Sequence, residues 1–174
     1  RPHRENIFNA FVELAMANHF PLPSAFGKCV GKYPQTKSKT MNPGYRSELA
    51  TQALMAQCKF VISGEPNNNQ GYFTEKIINA FASGAIPIVW GSNVVSDIFN
   101  FQSYIYIAES NISAALGEVK YLQTNVTAYK EKLSKPILND HSVEKYFSLR
   151  DDIGGGILKR KIRSAVLEIQ EKNN

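Results

Sequence analysis

Near its start the chain repeats apolar residues three and four positions apart: "RENIFNAFVELAMAN" sets Ile7, Phe8, Phe11, Leu14 and Ala15 at helical spacing and predicts an amphipathic helix. "PLPSAFGKCVGK" breaks that period with proline and glycine and predicts a strand or a turn. Residues 33–45, "YPQTKSKTMNPGY", are polar and rich in turn formers, as a surface loop is. "SELATQALMAQ" returns to helical spacing, and "CKFVISG" is a short apolar run with β-branched residues closed by glycine, which predicts a helix and then a buried strand. Residues 67–91, "NNNQGYFTEKIINAFASGAIPIVWG", begin polar, turn helical with Ile77, Ile78, Ala80 and Phe81 on the apolar side, and end in a second buried strand, "AIPIVW". "SYIYIA" predicts a third strand, and "ISAALGEVKYLQ" and "VTAYKEKL" predict two more helices. Strands separated by helices imply βαβ units, hence an α/β domain whose mostly parallel sheet carries helices on both faces. "DDIGGGILKRK" follows no strand and lacks the Lys-Ser/Thr pair of a P-loop, so it reads as a linker into a last helix. The expected organisation is one domain over residues 1–150 and a linker with a C-terminal helix over 151–174.

Composition narrows this picture. With 174 residues, 43% of them hydrophobic, the chain can bury one sizeable core but not two full domains. No run of eighteen apolar residues and no signal-peptide pattern occurs in it. The chain starts at Arg1 without an initiator methionine, which suits a piece of something longer. A net charge of +5 suits an anionic ligand, although many basic residues fall in "LKRKIRSAVLEIQEKNN", the pattern of a solvated terminal helix. No aromatic-basic interleaving or helix-turn-helix pattern accompanies the charge, so nucleic acid is not the expected partner. Cys29 and Cys58 form no CxxC pair and read as free thiols, and His3, His19 and His141 show no metal-ligand spacing. Asn111-Ile-Ser and Asn125-Val-Thr match the N-glycosylation pattern, which has meaning only in a secretory compartment.

The loop "GEPNNNQGYFTEK" carries the candidate chemistry. In open α/β sheets, ligands bind beyond the carboxyl ends of the strands, where loops lead into helices, and this loop lies between the "KFVIS" strand and its helix. Lys76 at the predicted helix start adds a charge to the unpaired N–H groups there and suggests half of an anion site. Glu75 beside it favours the helix dipole but would repel phosphate unless it faced another part of the ligand. The competing structural reading is a solvated Asn-rich turn in which Thr74 caps the helix.

The segment from Lys59 to Gly91 resembles the signature block of the α-1,3/1,4-fucosyltransferases, glycosyltransferase family 10: a Lys-Phe strand, a Phe-Glu-Asn turn, a Tyr-x-Thr-Glu-Lys helix start, and a Pro/Val-rich strand ending in glycine. Arg4 followed by Ile7 and Phe8 is similar to that family's Arg-x-x-Leu/Phe-Tyr helix, and "FGKCVGK" to its Tyr-Gly-Lys-Cys-Gly turn. "YLQTNVTAYKEKL" and "YFSLR" are similar to its closing motifs, so the resemblance runs over about residues 4–150. Gly64 stands at the family's phenylalanine, Pro66 at its asparagine with Asn67 one position along, and Leu149 at its tryptophan.

The resemblance implies a Rossmann-like parallel sheet forming one half of a GT-B glycosyltransferase, the half that binds GDP-fucose. On that basis Lys76 and Arg4 bind the pyrophosphate, Glu75 accepts hydrogen bonds from the ribose hydroxyls, and Tyr72 and Asn67 line the donor pocket. The reaction it implies is inverting transfer of fucose to a glycan hydroxyl, with the catalytic base on a separate N-terminal acceptor-binding half. The family lacks an Asp-x-Asp metal site; no cofactor is required, although Mn²⁺ stimulates some members. Golgi membrane residence is expected of a eukaryotic member and the cytoplasm of a bacterial or viral one. Two alternatives stand beside this reading: a GT-B transferase that uses another nucleotide sugar, and a non-catalytic nucleotide-binding module.

Overall fold

A computed structural model describes residues 2–25, 48–108, 111–147, 160, 162–164 and 167. Helix α1 spans Pro2–Asn18 and buries Ile7, Phe11, Val12 and Ala15, so the apolar period of the first segment becomes a real packing stripe. The helix stops where His19 turns to φ 55° and Pro21 forbids continuation. Helix α2, Glu48–Met55, leads into strand β1, Phe60–Gly64. Helix α3, Lys76–Ala82, and strand β2, Ile86–Trp90, complete the first crossover. A single-turn helix α4, Val95–Ile98, and a 3₁₀ turn at Phe101–Ser103 precede strand β3, Ile105–Tyr106. Helices α5, Ile112–Thr124, and α6, Val126–Leu133, follow, and Val143–Phe147 form a π-helical turn.

The three strands are parallel and lie side by side in chain order. Phe60 pairs with Ile86 and Gly64 with Trp90, so β1 and β2 end level with one another, and Ile88 pairs with Ile105. Every residue of β2 is buried, as a central parallel strand covered on two faces requires. Ile86, Ile88, Trp90, Ile105 and Ile107 point to one side, where Ile7 and Phe11 of α1 and Ala115, Val119 and Leu122 of α5 meet them. Val89 and Tyr104 point to the other side, against Ile77 of α3, Val95 and Ile98 of α4, and Phe99. The expected sheet with helices on both faces is therefore present.

Local signals explain most element ends. Gly84 adopts φ 76° after α3, with Gly84 N–H bonded to Phe81 O and Ala85 N–H to Ala80 O at 3.2 Å. This is the double hydrogen bond of a Schellman cap, and glycine is the residue that enters it without a Cβ clash. Asn111 and Asn125, the two asparagines of the glycosylation pattern, are N-caps of α5 and α6, accepting from Ala114 N–H and Ala128 N–H. The third strand is shorter than "SYIYIA" suggests. A 3₁₀ turn capped by Asn100 takes up Ser103, and only Ile105 and Tyr106 pair in register with β2. Neither α4 nor the π turn is visible in the apolar period, because each is little more than a turn long.

"FGKCVGK", Cys29, the loop over 33–45, and most of the glycine-rich linker lie outside the described residues. Residues 160, 162–164 and 167 are helical and exposed. Cys58 is a half-buried reduced thiol. No helix among the described residues is long and apolar enough to cross a membrane.

Tyr104 supplies a test of this packing. Its side chain is fully buried, and its hydroxyl meets no hydrogen-bond partner among the described residues. Desolvation first, then the negative neighbours Tyr106 and Asp97, push its pKa up to about 12. An unfolded tyrosine ionises near pH 10, so above that pH the unfolded state holds fewer protons than the folded one and stability falls as pH rises. Tyr104→Phe should remove part of this alkaline loss while costing little stability at neutral pH. Thermal melts between about pH 9 and 11 check it; parallel declines in variant and wild type would show that this phenol does not titrate as buried.

Candidate functional site

The loop between β1 and α3 is fastened by a buried carboxylate. Glu65, immediately after β1, is 4% exposed, and its N–H continues the sheet ladder to Trp90 O at 3.0 Å. Its Oε1 accepts from Thr74 N–H at 2.7 Å and from the Thr74 hydroxyl at 2.8 Å. Its Oε2 accepts from Lys76 Nζ at 3.0 Å. A buried charge is tolerated only when paired and hydrogen-bonded, and Glu65 meets both conditions with groups from the far end of its own loop. The loop's entrance and exit are thereby tied together.

Gly91 makes the space for that carboxylate. A Cβ on Gly91 would come within 3.1 Å of Glu65 Cγ and 3.2 Å of its Cβ, and Gly91 sits at φ 148°, which side chains rarely adopt. The Gly91 carbonyl accepts from the Tyr106 hydroxyl at 2.8 Å, and the buried Ser92 hydroxyl accepts from Gly71 N–H at 3.0 Å. The ends of β1 and β2 thus hold the loop, and Tyr106 of β3 holds Gly91 behind it.

Lys76 is the first residue of α3, as the sequence suggests, but it does not stand alone. Its ammonium donates to Glu65 and to Thr74 Oγ1 at 2.6 Å, which leaves one of its three N–H groups to be given elsewhere. The side chain is 32% exposed, so that remaining donor can reach a ligand. Thr74 does not cap the helix. Its hydroxyl is taken by Glu65 and Lys76, and the cap position belongs to Glu75, which makes no side-chain cap bond.

Arg4 arrives from α1. Its Cγ and Cδ lie 3.4 and 3.6 Å from where a Gly64 Cβ would be, so its stem lies along the end of β1, where the absence of a side chain admits it. Arg4, Ser63, Gly64 and Lys76 share the wall of one cavity of about 1030 Å³, whose other walls are mostly apolar residues of α1, α2 and β1. Next to Arg4, the exposed His3 stacks on Trp90 at 5.4 Å between ring centroids. Asn67, Tyr72 and Glu75 are exposed on the loop and do not line this cavity. Asn67 Oδ1 accepts from Asn69 N–H at 3.2 Å in a local turn, and Tyr72 N–H bonds to Asn69 O. Arg4 and Lys76 thus line one cavity, and Asn67, Tyr72 and Glu75 stand exposed on the loop outside it. Glu65, Gly91 and Ser92 escape sequence reasoning as functional residues. The available signals were that Glu65 stands at the glutamate of the Phe-Glu-Asn turn and Gly91 at the glycine that closes the family's block.

Residues 8–134 match the family described as Glycosyltransferase family 10 (fucosyltransferase), C-terminal part. The chain belongs to this family. It is 38% identical over 95 residues to an alpha-(1,3)-fucosyltransferase of Helicobacter pylori, covering 54% of this chain and 20% of that protein. It is 30% identical over 139 residues to a putative fucosyltransferase of Acanthamoeba polyphaga mimivirus, covering 78% of this chain and 22% of the relative. Crystal structures of an alpha1,3-fucosyltransferase with GDP and with GDP-fucose match it with TM-scores of 0.63 and 0.58 at 29% and 30% identity. These matches cover 79% and 78% of this chain, and 36% of each solved chain. The family 10 chain thus spans 20–22% of those two relatives and 36% of the solved chains. Its Rossmann-like α/β sheet is the fold these fucosyltransferases, of GT-B architecture, share over that part.

Gly91→Ala should be costly for two reasons, the left-handed backbone and the approach of Glu65. Strain of this kind is worth about 1–3 kcal/mol, and urea unfolding should register a loss in that range. A variant as stable as the wild type would show that the β2–Glu65 approach is not constraining.

Proposed function

We infer that this chain is the donor-binding part of an inverting fucosyltransferase that moves fucose from GDP-fucose to a glycan hydroxyl. The observation that carries the reading is the Lys76 ammonium, held by Glu65 and Thr74 at the carboxyl ends of parallel strands with one N–H to spare and with Arg4 on the same cavity wall. A pair of cations suits a pyrophosphate leaving group, whose charge grows as the bond to the sugar breaks. Support comes from the family and from the solved relative bound to GDP-fucose.

In this reading Lys76 and Arg4 bind the two phosphates, and the exposed Glu75 takes the ribose diol, whose paired hydroxyls match the two oxygens of a carboxylate. Tyr72 and Asn67, also exposed, border the donor. The acceptor hydroxyl attacks C1 of fucose from the opposite side, and its proton goes to a base carried outside this chain, on the acceptor-binding half. The chain stabilises the departing GDP and nothing more. No three His, Cys, Asp or Glu side chains come together among the described residues, and no step here is routed through a metal.

Charge-assisted bonds to phosphate are worth about 1.5–3 kcal/mol each, so Lys76→Ala should weaken GDP binding about tenfold or more, and it should also lower stability because it strips the buried Glu65 of its counter-charge. Arg4→Ala should act in the same direction. Equal affinity of wild type and Lys76→Ala by calorimetry would remove Lys76 from the site. Glu75→Gln should weaken GDP much more than 2′,3′-dideoxy-GDP, and equal losses for the two ligands would leave Glu75 no ribose to hold. Incubated with GDP-fucose and an N-acetyllactosamine-type acceptor, the 174-residue chain should yield at most slow hydrolysis. Efficient transfer by it would put the base within this chain.

A further inference from the structure

The reaction as drawn uses Lys76 and leaves Glu65 without a task, although Glu65 is the one buried carboxylate among the described residues. A charged side chain 4% exposed is expensive to keep unless its position serves something. Its two oxygens divide their work. Oε1 takes both donors of Thr74, and Oε2 takes the Lys76 ammonium. Thr74 Oγ1, donating to Oε1, is left to accept, and what it accepts is a second N–H of Lys76. The three groups form a closed ring of charge-assisted hydrogen bonds. Two N–H vectors of the ammonium are thereby fixed, and tetrahedral geometry fixes the third. The ring rests on rigid backbone, since Glu65 N–H is part of the sheet ladder and Gly91 leaves room behind the carboxylate.

We propose that Glu65 is a positioning residue for the donor reaction: it holds the Lys76 ammonium, through its own Oε2 and through Thr74, so that the remaining N–H is aimed at the leaving diphosphate. This rests on the donor-binding reading above. It also makes a prediction that runs against simple charge counting. Removing a carboxylate beside a phosphate-binding lysine should, on electrostatics alone, tighten phosphate binding. If Glu65 acts by orientation, its loss weakens binding instead, because a free lysine must be immobilised when the ligand arrives.

The test compares wild type, Glu65→Gln, Thr74→Val, Lys76→Ala and the Glu65→Gln/Lys76→Ala double variant in the 174-residue chain. Titration with GDP and with guanosine is read beside the NMR order of the Lys76 Cε–H bonds without ligand. Glu65→Gln should lower GDP affinity about tenfold, as loss of one charge-assisted contact would, and leave guanosine affinity unchanged. It should also loosen Lys76 in the ligand-free protein. Thr74→Val, which keeps the Thr74 N–H bond, should do the same more weakly. The double variant should bind GDP no more weakly than Lys76→Ala alone. Tighter GDP binding by Glu65→Gln would make Glu65 a competing counter-charge and overturn the proposal. Equal losses for GDP and guanosine would make it a general support of the loop and also overturn it. If Glu65→Gln does not fold, Thr74→Val decides by the same readings. If the wild type binds no GDP, the donor-site reading fails, while the order of Lys76 still decides whether Glu65 positions it.

Discussion

A carboxylate that cannot reach water organises this end of the molecule. Glu65 leaves β1 pointing into the space beside Gly91, and once there it must find donors. The nearest available belong to Thr74 and Lys76, nine and eleven residues on. Satisfying the charge therefore folds the intervening loop back on itself and sets the first turn of α3. Its neighbours follow: Gly71 N–H finds the Ser92 hydroxyl, and the Tyr106 hydroxyl finds Gly91 O. A loop rich in asparagine, glutamine and glycine has little intrinsic order, and here its shape is imposed by one buried charge and the strand ends around it.

That arrangement works only because the strands end together. The register that places Gly64 opposite Trp90 brings Glu65 level with Gly91 and puts the stem of Arg4 across the bare Cα of Gly64. The apolar core behind the sheet supplies the rigidity. Ile86, Ile88 and Trp90 pack on α1 and α5, and Val89 packs on the α3 and α4 side, so β2 cannot shift without disturbing both layers. The placement of Lys76 is therefore borrowed from hydrophobic packing some distance away.

Much of the fold was readable in the chain. The helical period of Ile7, Phe11 and Ala15 and the unbroken apolar run of "IPIVW" are local signals with local causes, and each became the element it announced. Single-turn elements such as α4 were not readable, since four residues carry no period. The third strand was over-read because its first residues go to a capped turn. The two glycosylation-pattern asparagines serve as helix caps, a role that the same polar side chain fills for a purely local reason.

The candidate site divides along the same line. The sequence by itself determined that Glu75 and Lys76 stand at a strand-to-helix loop, that Tyr72 and Asn67 lie on it, and that Arg4 opens the first helix, because motif spacing and apolar period are properties of neighbouring residues. What only the tertiary structure decided is how these groups are held. Lys76 is paired with Glu65, Thr74 is a link in the ring and no cap, and Arg4 shares a cavity wall with a lysine seventy-two positions away. Those contacts depend on strand register, on the left-handed backbone of Gly91, and on the need of a buried charge for partners. None of these is written in any short stretch of the chain, because each arises only when distant segments exclude water from one another.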